Sequence, residues 1–159
     1  MNKSIIIERI IATLTTELEG YARSARAAHA GATDEQNKAE NKYDTRGLEA
    51  SYLARGQSAQ ATEVMHAIHR YESLDLREFT AQEPIDIGAL VELERSGERT
   101  VFFIGPLAGG AEVDCEGKPV LVITPQSPLG QQIIGHKQGD RFQIKIGNSN
   151  TKSHVVAVA

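Results

Sequence analysis

The sequence predicts an α+β fold, in which an N-terminal antiparallel α-helical coiled-coil hairpin precedes a small antiparallel β-sheet domain with one short helix. In two long runs, apolar and small residues recur at alternating spacings of 4 and 3, which is the heptad pattern of helices that pair. Only a short polar stretch separates the two runs, so the helices must lie antiparallel. After residue 79 the period changes to about 2, the spacing typical of strands.

The two heptad runs match each other in side-chain size. The first consists of Ile7, Ile11, Leu14, Leu18, Tyr21, Ala25 and Ala28. The second consists of Ala50, Ala54, Gln57, Ala61, Val64, Ile68 and Tyr71. In antiparallel register, large residues face large ones at the base of the hairpin and small ones face small ones at its tip. We predict that Gly31 ends the first helix and that the second begins between Asn41 and Asp44 and runs to about Leu76.

The second half of the chain predicts six strands and one helix. The predicted strands cover residues 87–93, 100–104, 112–115, 120–124, 141–146 and 154–158. The most apolar of them, 120–124, is expected at the centre of the sheet. Ser127 is predicted to be the N-cap of the helix, with Pro128 at its first position. The predicted domains are a coiled coil at 1–79 with its tip at about 31–42, a linker at 80–84, and a sheet domain at 85–159.

Composition excludes several classes of function. The net charge is −4 and the chain has no Trp, so independent binding to DNA is not expected. The single Cys115 cannot form an internal disulfide, and no spacing resembles a zinc site. Glu8 and Arg9 interrupt the N-terminal apolar run, so neither a signal peptide nor a membrane span is predicted. We expect a cytoplasmic monomer that has no contact with a membrane.

Residues 127–140 have the sequence Ser-Pro-Leu-Gly-Gln-Gln-Ile-Ile-Gly-His-Lys-Gln-Gly-Asp. This segment resembles the Ser-Pro-Ile/Leu-Gly-x-x-Leu-Leu-Gly-Lys-x-x-Gly-Asp signature of the bacterial Gre transcript cleavage and elongation factors (GreA and GreB). The order of the parts is similar as well, because Gre factors carry an N-terminal coiled coil before a C-terminal domain whose fold resembles the FK506-binding proteins. The resemblance spans nearly the whole chain and is strongest at 127–140.

The resemblance implies that RNA polymerase is the partner and that transcript RNA is contacted only indirectly. In Gre factors the globular domain docks at the rim of the polymerase secondary channel and the coiled coil enters the channel. The protein would then be an accessory factor to the polymerase's own hydrolytic activity, with no catalytic residues of its own. The signature residues carried over as polymerase-docking positions are Ser127, Pro128, Leu129, Gly130, Gly135, Gly139 and Asp140.

The resemblance also assigns a role to acids at the tip. Two-metal phosphodiester hydrolysis can use carboxylates delivered from outside to hold a weakly bound second ion, and oxygen ligands suit Mg²⁺. The candidate ligands of this shared Mg²⁺, which would be bound only in complex with the polymerase, are Asp34, Glu35 and Glu40. The other candidate tip contacts are Asn41, Tyr43, Asp44 and Arg46.

The tip departs from the family pattern, which is approximately Gly-Asp-x-x-Glu-Asn-x-Glu-Tyr. Glu40-Asn41 matches the Glu-Asn step, but Asn37 stands where the pattern has Asp. Tyr43 lies one residue before the position at which the pattern has Tyr. An alternative hypothesis is therefore a regulator that occupies the secondary channel, competes with Gre factors and does not promote cleavage. A weaker alternative treats the C-terminal domain as a prolyl isomerase or peptide-binding chaperone module, for which an aromatic-lined pocket would be needed.

Overall fold

A computed structural model of the chain describes residues 1–33, 46–147 and 149–159. The helices are α1 (Lys3–Thr33), α2 (Arg46–Glu72) and α3 (Gly130–Ile133). The strands are β1 (Leu90–Arg95), β2 (Glu98–Ile104), β3 (Glu112–Cys115), β4 (Lys118–Ile123), β5 (Arg141–Ile146) and β6 (Ser149–Val158). The long N-terminal helical hairpin and the following sheet confirm the predicted α+β class.

The chain divides into two compact units. One contains residues 12–68, and the other contains residues 1–11 together with 69–159. The first turns of α1 and the last turn of α2 therefore belong to the unit that holds the sheet. The predicted linker at 80–84 lies within this unit as a turn, in which the Glu83 N–H donates to the Thr80 carbonyl at 3.1 Å.

The predicted helical seam is confirmed by burial. Every position of both heptad runs is buried or half-buried, whereas most positions between them are exposed. In the unit of residues 12–68, Leu14 on α1 and Val64 on α2 are the buried seam residues. Towards the loop the seam consists of Ala, and the burial becomes partial because a methyl group covers less surface.

The ends of the helices differ from the prediction. Helix α1 continues through Gly31 to Thr33, whose hydroxyl donates to the His29 carbonyl at 3.0 Å. Helix α2 ends at Glu72, before the predicted end at Leu76. The Ser73 hydroxyl donates to the His69 carbonyl at 2.9 Å and so satisfies a carbonyl at the C-terminus of the helix. The predicted start of α2 at 41–44 lies outside the described residues.

The six strands form one sheet in the order β3-β4-β2-β1-β6-β5. Most neighbours are antiparallel, as predicted, but β2 and β4 pair in parallel, with Phe103 opposite Val122. The expectation that residues 120–124 form the central strand is wrong, since β4 lies second from an edge and β2 and β1 are central. The β1–β2 hairpin turns at Ser96 and Gly97, with φ of 52° and 85°, which is the left-handed pair that a two-residue turn needs.

The main core lies on the face of the sheet that α3 covers, with Leu93, Phe102 and Ile133 among its fully buried members. The buried residues of this cluster are Phe79, Ile85, Ala89, Val91, Leu93, Phe102, Ile104, Ile123, Ile133, Ile144, Val155 and Val158.

The start of α1 is fastened to the segment that follows α2. The Lys3 ammonium donates to the Arg77 carbonyl at 2.5 Å and lies 4.9 Å from the centre of the Phe79 ring. Phe79 is itself buried in the core. Burial lowers the pKa of Lys3 below its ordinary value. Within the described residues, neither long helix has an apolar stretch sufficient to span a bilayer.

Candidate functional site

The segment from Thr124 to Asp140, which connects β4 to β5, contains the predicted docking residues. Ser127 organises its first turn, since its hydroxyl donates to the Thr124 carbonyl at 2.8 Å and accepts from the Gly130 N–H at 3.0 Å. Helix α3 spans Gly130–Ile133 with Leu129 directly before it, so it begins two residues later than the predicted first helical residue, Pro128. Ser127 nevertheless supplies a hydroxyl acceptor to an N–H at the start of the helix, as a capping residue does.

Gly130 is needed because the backbone of Thr124 passes directly over it. A Cβ at this position would overlap the Thr124 carbonyl oxygen and would lie 2.9 Å from the Ser127 hydroxyl. The turn at 124–127 and the start of α3 can therefore approach this closely only with glycine at 130.

Gln132 joins α3 to the edge strand β5. Its side-chain oxygen accepts from the Lys145 N–H at 2.7 Å, and its side-chain nitrogen donates to the Lys145 carbonyl at 2.9 Å. The Gln132 side chain thus pairs with an outward-facing peptide group of β5 in the way that a neighbouring strand would. Sequence reasoning did not single out Gln132, because an isolated polar residue on a short helix carries no signal of such a contact.

Backbone hydrogen bonds attach the end of the segment both to Ile85, which precedes β1, and to the last strand, β6. Gly135 donates from its N–H to the Ile85 carbonyl at 3.0 Å, and the Ile85 N–H donates to the His136 carbonyl at 2.8 Å. Gly139 donates to the Val155 carbonyl at 2.8 Å. Both glycines have positive φ, 85° and 92°, so each makes a sharp turn in the backbone.

His136, Asp140 and Phe142 form a small cluster at the start of β5. The Nδ1 atom of His136 lies 3.1 Å from an Asp140 oxygen that also accepts from the Lys137 N–H at 2.9 Å. The imidazole ring stacks on Phe142 with centroids 3.8 Å apart. The hydrogen bond from Lys137 N–H, and then the contact with His136, lower the pKa of Asp140. Asp140 is therefore an ionised carboxylate that closes the 136–140 turn.

The signature residues thus have two roles. Some form the turns and hydrogen bonds of the segment, and others have side chains at its surface or against the core. Ser127, Gly130, Gly135, Gly139 and Asp140 make the turns and hydrogen bonds described above. Pro128 is exposed and Leu129 is half-buried against the core. Of the two, Pro128 is the side chain that a partner could contact directly.

The predicted tip residues cannot be placed in the same way. Asp34, Glu35, Glu40, Asn41, Tyr43 and Asp44 lie outside the described residues. Arg46 is the first residue of α2, and its side chain also lies outside the described part. In the part of the chain that the structure describes, no three His, Cys, Asp or Glu side chains are grouped so that they could hold a metal ion.

The first turns of α2 carry exposed apolar side chains. Leu48, Tyr52 and Leu53 are 56%, 65% and 56% exposed. Leu48 and Tyr52 are one turn apart and lie on the same side of the helix. Because Tyr52 is largely exposed, it does not serve as a packing residue between the helices.

A family model described as the C-terminal domain of the GreA/GreB transcription elongation factors matches residues 80–159. The match includes the whole of the 124–140 segment. No individually curated protein matches the chain.

Solved structures give similarities over longer stretches. The crystal structure of GreA factor homolog 1 (Gfh1) of Thermus thermophilus is 24% identical, over 94% of each chain, with a TM-score of 0.40. Gfh1 of Thermus aquaticus is 23% identical over 92% of each chain, with a TM-score of 0.38. A GreA/GreB elongation factor from Nitrosomonas europaea is 21% identical over 62% of this chain and 78% of its own, with a TM-score of 0.36. These TM-scores are low, so the relationship rests on the match over 80–159.

Proposed function

Because the chain belongs to the GreA/GreB family of transcription elongation factors, we propose that it binds RNA polymerase through the secondary channel and stimulates cleavage of backtracked transcripts. The observation that carries this proposal is the family match, which covers all of β1 to β6 and the signature between β4 and β5. The protein would act as an accessory factor, and the polymerase would supply the hydrolytic centre.

The structure of the 124–140 segment supports a docking role for it. Hydrogen bonds made by Ser127, Gln132 and Gly139 close the first turn of the segment and fix the segment to the strands β5 and β6. A surface held in this way loses little conformational entropy on binding. Pro128 adds a rigid, exposed apolar side chain. These properties favour a preformed contact with a protein partner.

The tip acids supply the second part of the proposal. Asp34, Glu35 and Glu40 lie between the last described residue of α1 and the first residue of α2, in the connection between two long helices. We propose that these carboxylates would help to hold the second Mg²⁺ of the polymerase, an ion that would supply a Lewis acid for the hydrolysis of the RNA phosphodiester. The role of this chain is to deliver negative charge to that ion.

One observation favours a second function. Asn37 stands where the family's tip pattern has Asp, and an amide cannot supply the negative charge of a carboxylate. If none of the remaining acids compensates, the protein would occupy the channel and compete with Gre factors without promoting cleavage.

The two functions are distinguished by a cleavage assay on a backtracked polymerase complex with 3′-extruded RNA. Addition of the full chain is expected to shorten the RNA. A variant with Asp34, Glu35 and Glu40 all changed to Ala is expected to bind the polymerase as well as the natural sequence does and to lose stimulation. A matched control changes Glu98, Glu112 and Glu116, three exposed acids of the sheet unit, to Ala.

Each result has a definite meaning. Loss of cleavage in the tip variant but not in the control supports the metal assignment. Cleavage that persists in the tip variant rejects that assignment. Binding without any cleavage by the natural sequence supports the competing-regulator function, and absence of binding rejects both functions.

A further inference from the structure

The outer face of the sheet at β1, β6 and β5 holds an open groove of about 460 Å³. It lies on the three strands at the β5 end of the sheet. The residues that line it are Glu94, Ser96, Arg141, Phe142, Gln143, Lys152, Ser153 and His154. Neither the family relationship nor the proposed function assigns a role to this groove.

The strand register brings the basic side chains of the groove together. Arg141 on β5 is directly opposite His154 on β6, and Gln143 is directly opposite Lys152. Directly opposite residues have Cβ atoms about 5 Å apart, and residues two apart on a strand lie about 7 Å apart on the same face. The side chains of Arg141, Lys152 and His154 therefore start from neighbouring positions on one face of β5 and β6.

The acidic residue of the groove already has a partner. Glu94 is opposite His154 in the register of β1 and β6, and its carboxylate lies 3.4 Å from Arg99 Nε. Arg99 also lies 3.2 Å from Glu92, on the same side of β1. The Arg99 guanidinium on β2 thus partly balances the charge of Glu94. The charges of Arg141 and Lys152 then give the groove an excess of positive charge.

The volume of the groove and its lining residues limit the kind of ligand that it can bind. A cavity of a few hundred Å³ is typical of sites for small molecules. The hydroxyl of Ser96 and the amide of Gln143 add uncharged polar groups to the lining. The side chains of Phe142 and Ser153 lie on the opposite, core face of the sheet, because they alternate with the basic residues along β5 and β6. The groove thus presents hydrogen-bond donors that suit an anion.

We propose that this groove binds the phosphoryl group of a small phosphorylated molecule, with Arg141, Lys152 and His154 as the donors. A phosphoryl group offers three acceptor oxygens, and Arg and Lys bind such oxygens through charge-assisted hydrogen bonds. The shared chemistry is the phosphoryl group, whether it arrives as free phosphate or on a nucleotide. The site is independent of the proposed action on the polymerase.

The test is titration of the full chain with inorganic phosphate, AMP and adenosine at constant ionic strength, followed by amide chemical shifts. Phosphate and AMP are expected to give saturable shifts confined to residues 94–96, 141–143 and 152–154, and adenosine none. Tighter binding of AMP than of phosphate identifies a nucleotide-like ligand, and equal binding identifies free phosphate. Absence of saturable shifts, or equal binding of adenosine and AMP, overturns the proposal.

Variants distinguish specific binding in the groove from a general attraction of anions to positive charge. Arg141→Ala and Lys152→Ala are each expected to weaken phosphate binding about tenfold or more, the usual effect of losing a hydrogen bond to a charged group. Lys118→Ala removes the same charge from an exposed position on β4 that does not line the groove. Its affinity is expected to equal that of the natural sequence. If Lys118→Ala weakens binding as much as the groove variants do, the assignment is wrong.

Discussion

The phenol of Tyr71, in the last turn of α2, fills the space that a side chain at residue 105 would occupy. A Cβ built on Gly105 would overlap the Tyr71 hydroxyl and would lie 2.9 Å from Val122 on β4. The same hydroxyl donates to the Leu107 carbonyl at 2.8 Å. Burial raises the pKa of Tyr71, so the phenol stays protonated and remains a donor. This contact attaches the end of α2 to the segment that follows β2.

Gly105→Ala is therefore expected to destabilise the protein by about 1–3 kcal/mol, the usual cost of overpacking a filled site. Tyr71→Phe keeps the ring and removes only the hydrogen bond, at a cost of about 1 kcal/mol. Urea unfolding monitored by circular dichroism measures both. A Gly105→Ala variant as stable as the natural sequence would show that Tyr71 does not occupy this space.

Substitutions of Ser127 and of Pro128 are expected to affect different properties, the first the stability of the fold and the second the binding to RNA polymerase. Ser127→Ala removes the acceptor of the Gly130 N–H and is expected to cost about 1 kcal/mol of stability. Pro128→Ala alters an exposed side chain, so stability is expected to change by no more than about 0.5 kcal/mol while affinity for RNA polymerase falls. Thermal unfolding and a polymerase binding assay measure the two quantities. Unchanged affinity in Pro128→Ala would remove Pro128 from the docking surface.

Loss of the Gln132 side chain is expected to expose the edge of β5. Gln132→Ala removes the two hydrogen bonds to the Lys145 peptide groups, with an expected cost of about 1–2 kcal/mol. Amide hydrogen exchange at Lys145 is expected to accelerate. Gln131→Ala serves as the control, because that exposed side chain donates only to the Gln126 carbonyl at 3.0 Å. Equal exchange rates at Lys145 in both variants would contradict the bridging role.

Glu83 is expected to make stability depend on acid pH. A hydrogen bond from the Thr80 N–H, followed by one from Arg77, lowers the pKa of Glu83 from 4.5 to about 2. A carboxylate with a depressed folded-state pKa stabilises the protein fully above its unfolded pKa and loses that contribution as pH falls. The loss is therefore expected between about pH 4.5 and 2.

Urea midpoints measured from pH 7 to pH 2 test the role of Glu83. Glu83→Gln is expected to lower the midpoint at pH 7 and to reduce its dependence on pH in the acid range. Glu98→Gln, at an exposed position of β2, serves as the control and is expected to leave both unchanged. A Glu83→Gln curve that parallels the natural one throughout would contradict the assignment.

The helical hairpin was predictable because its signal is local and repeated. Heptad positions from Ile11 to Ala28 and from Ala50 to Ile68 are buried or half-buried, as the period of about 3.5 requires. The strand segments were predictable for the same reason. The parallel pairing of β2 with β4 was not, because alternation identifies a strand and its buried face but not its neighbour in the sheet.

The candidate site was predictable in its location but not in its construction. The signature at 127–140 located the docking segment, whereas the start of α3 at Gly130 depends on how closely the Thr124 backbone approaches. Likewise, the pairing of Gln132 with Lys145 joins residues that are thirteen apart in sequence. Such contacts arise from tertiary packing and have no pattern of their own. The assignments of Asp34, Glu35 and Glu40 stay predictions.

The most direct test of the central claim is competition for RNA polymerase. The full chain, labelled with a fluorophore, is titrated with core RNA polymerase, and an unlabelled Gre factor is then added. The proposed function predicts saturable binding that the Gre factor displaces. Absence of binding, or binding that the Gre factor leaves undisturbed, would contradict it.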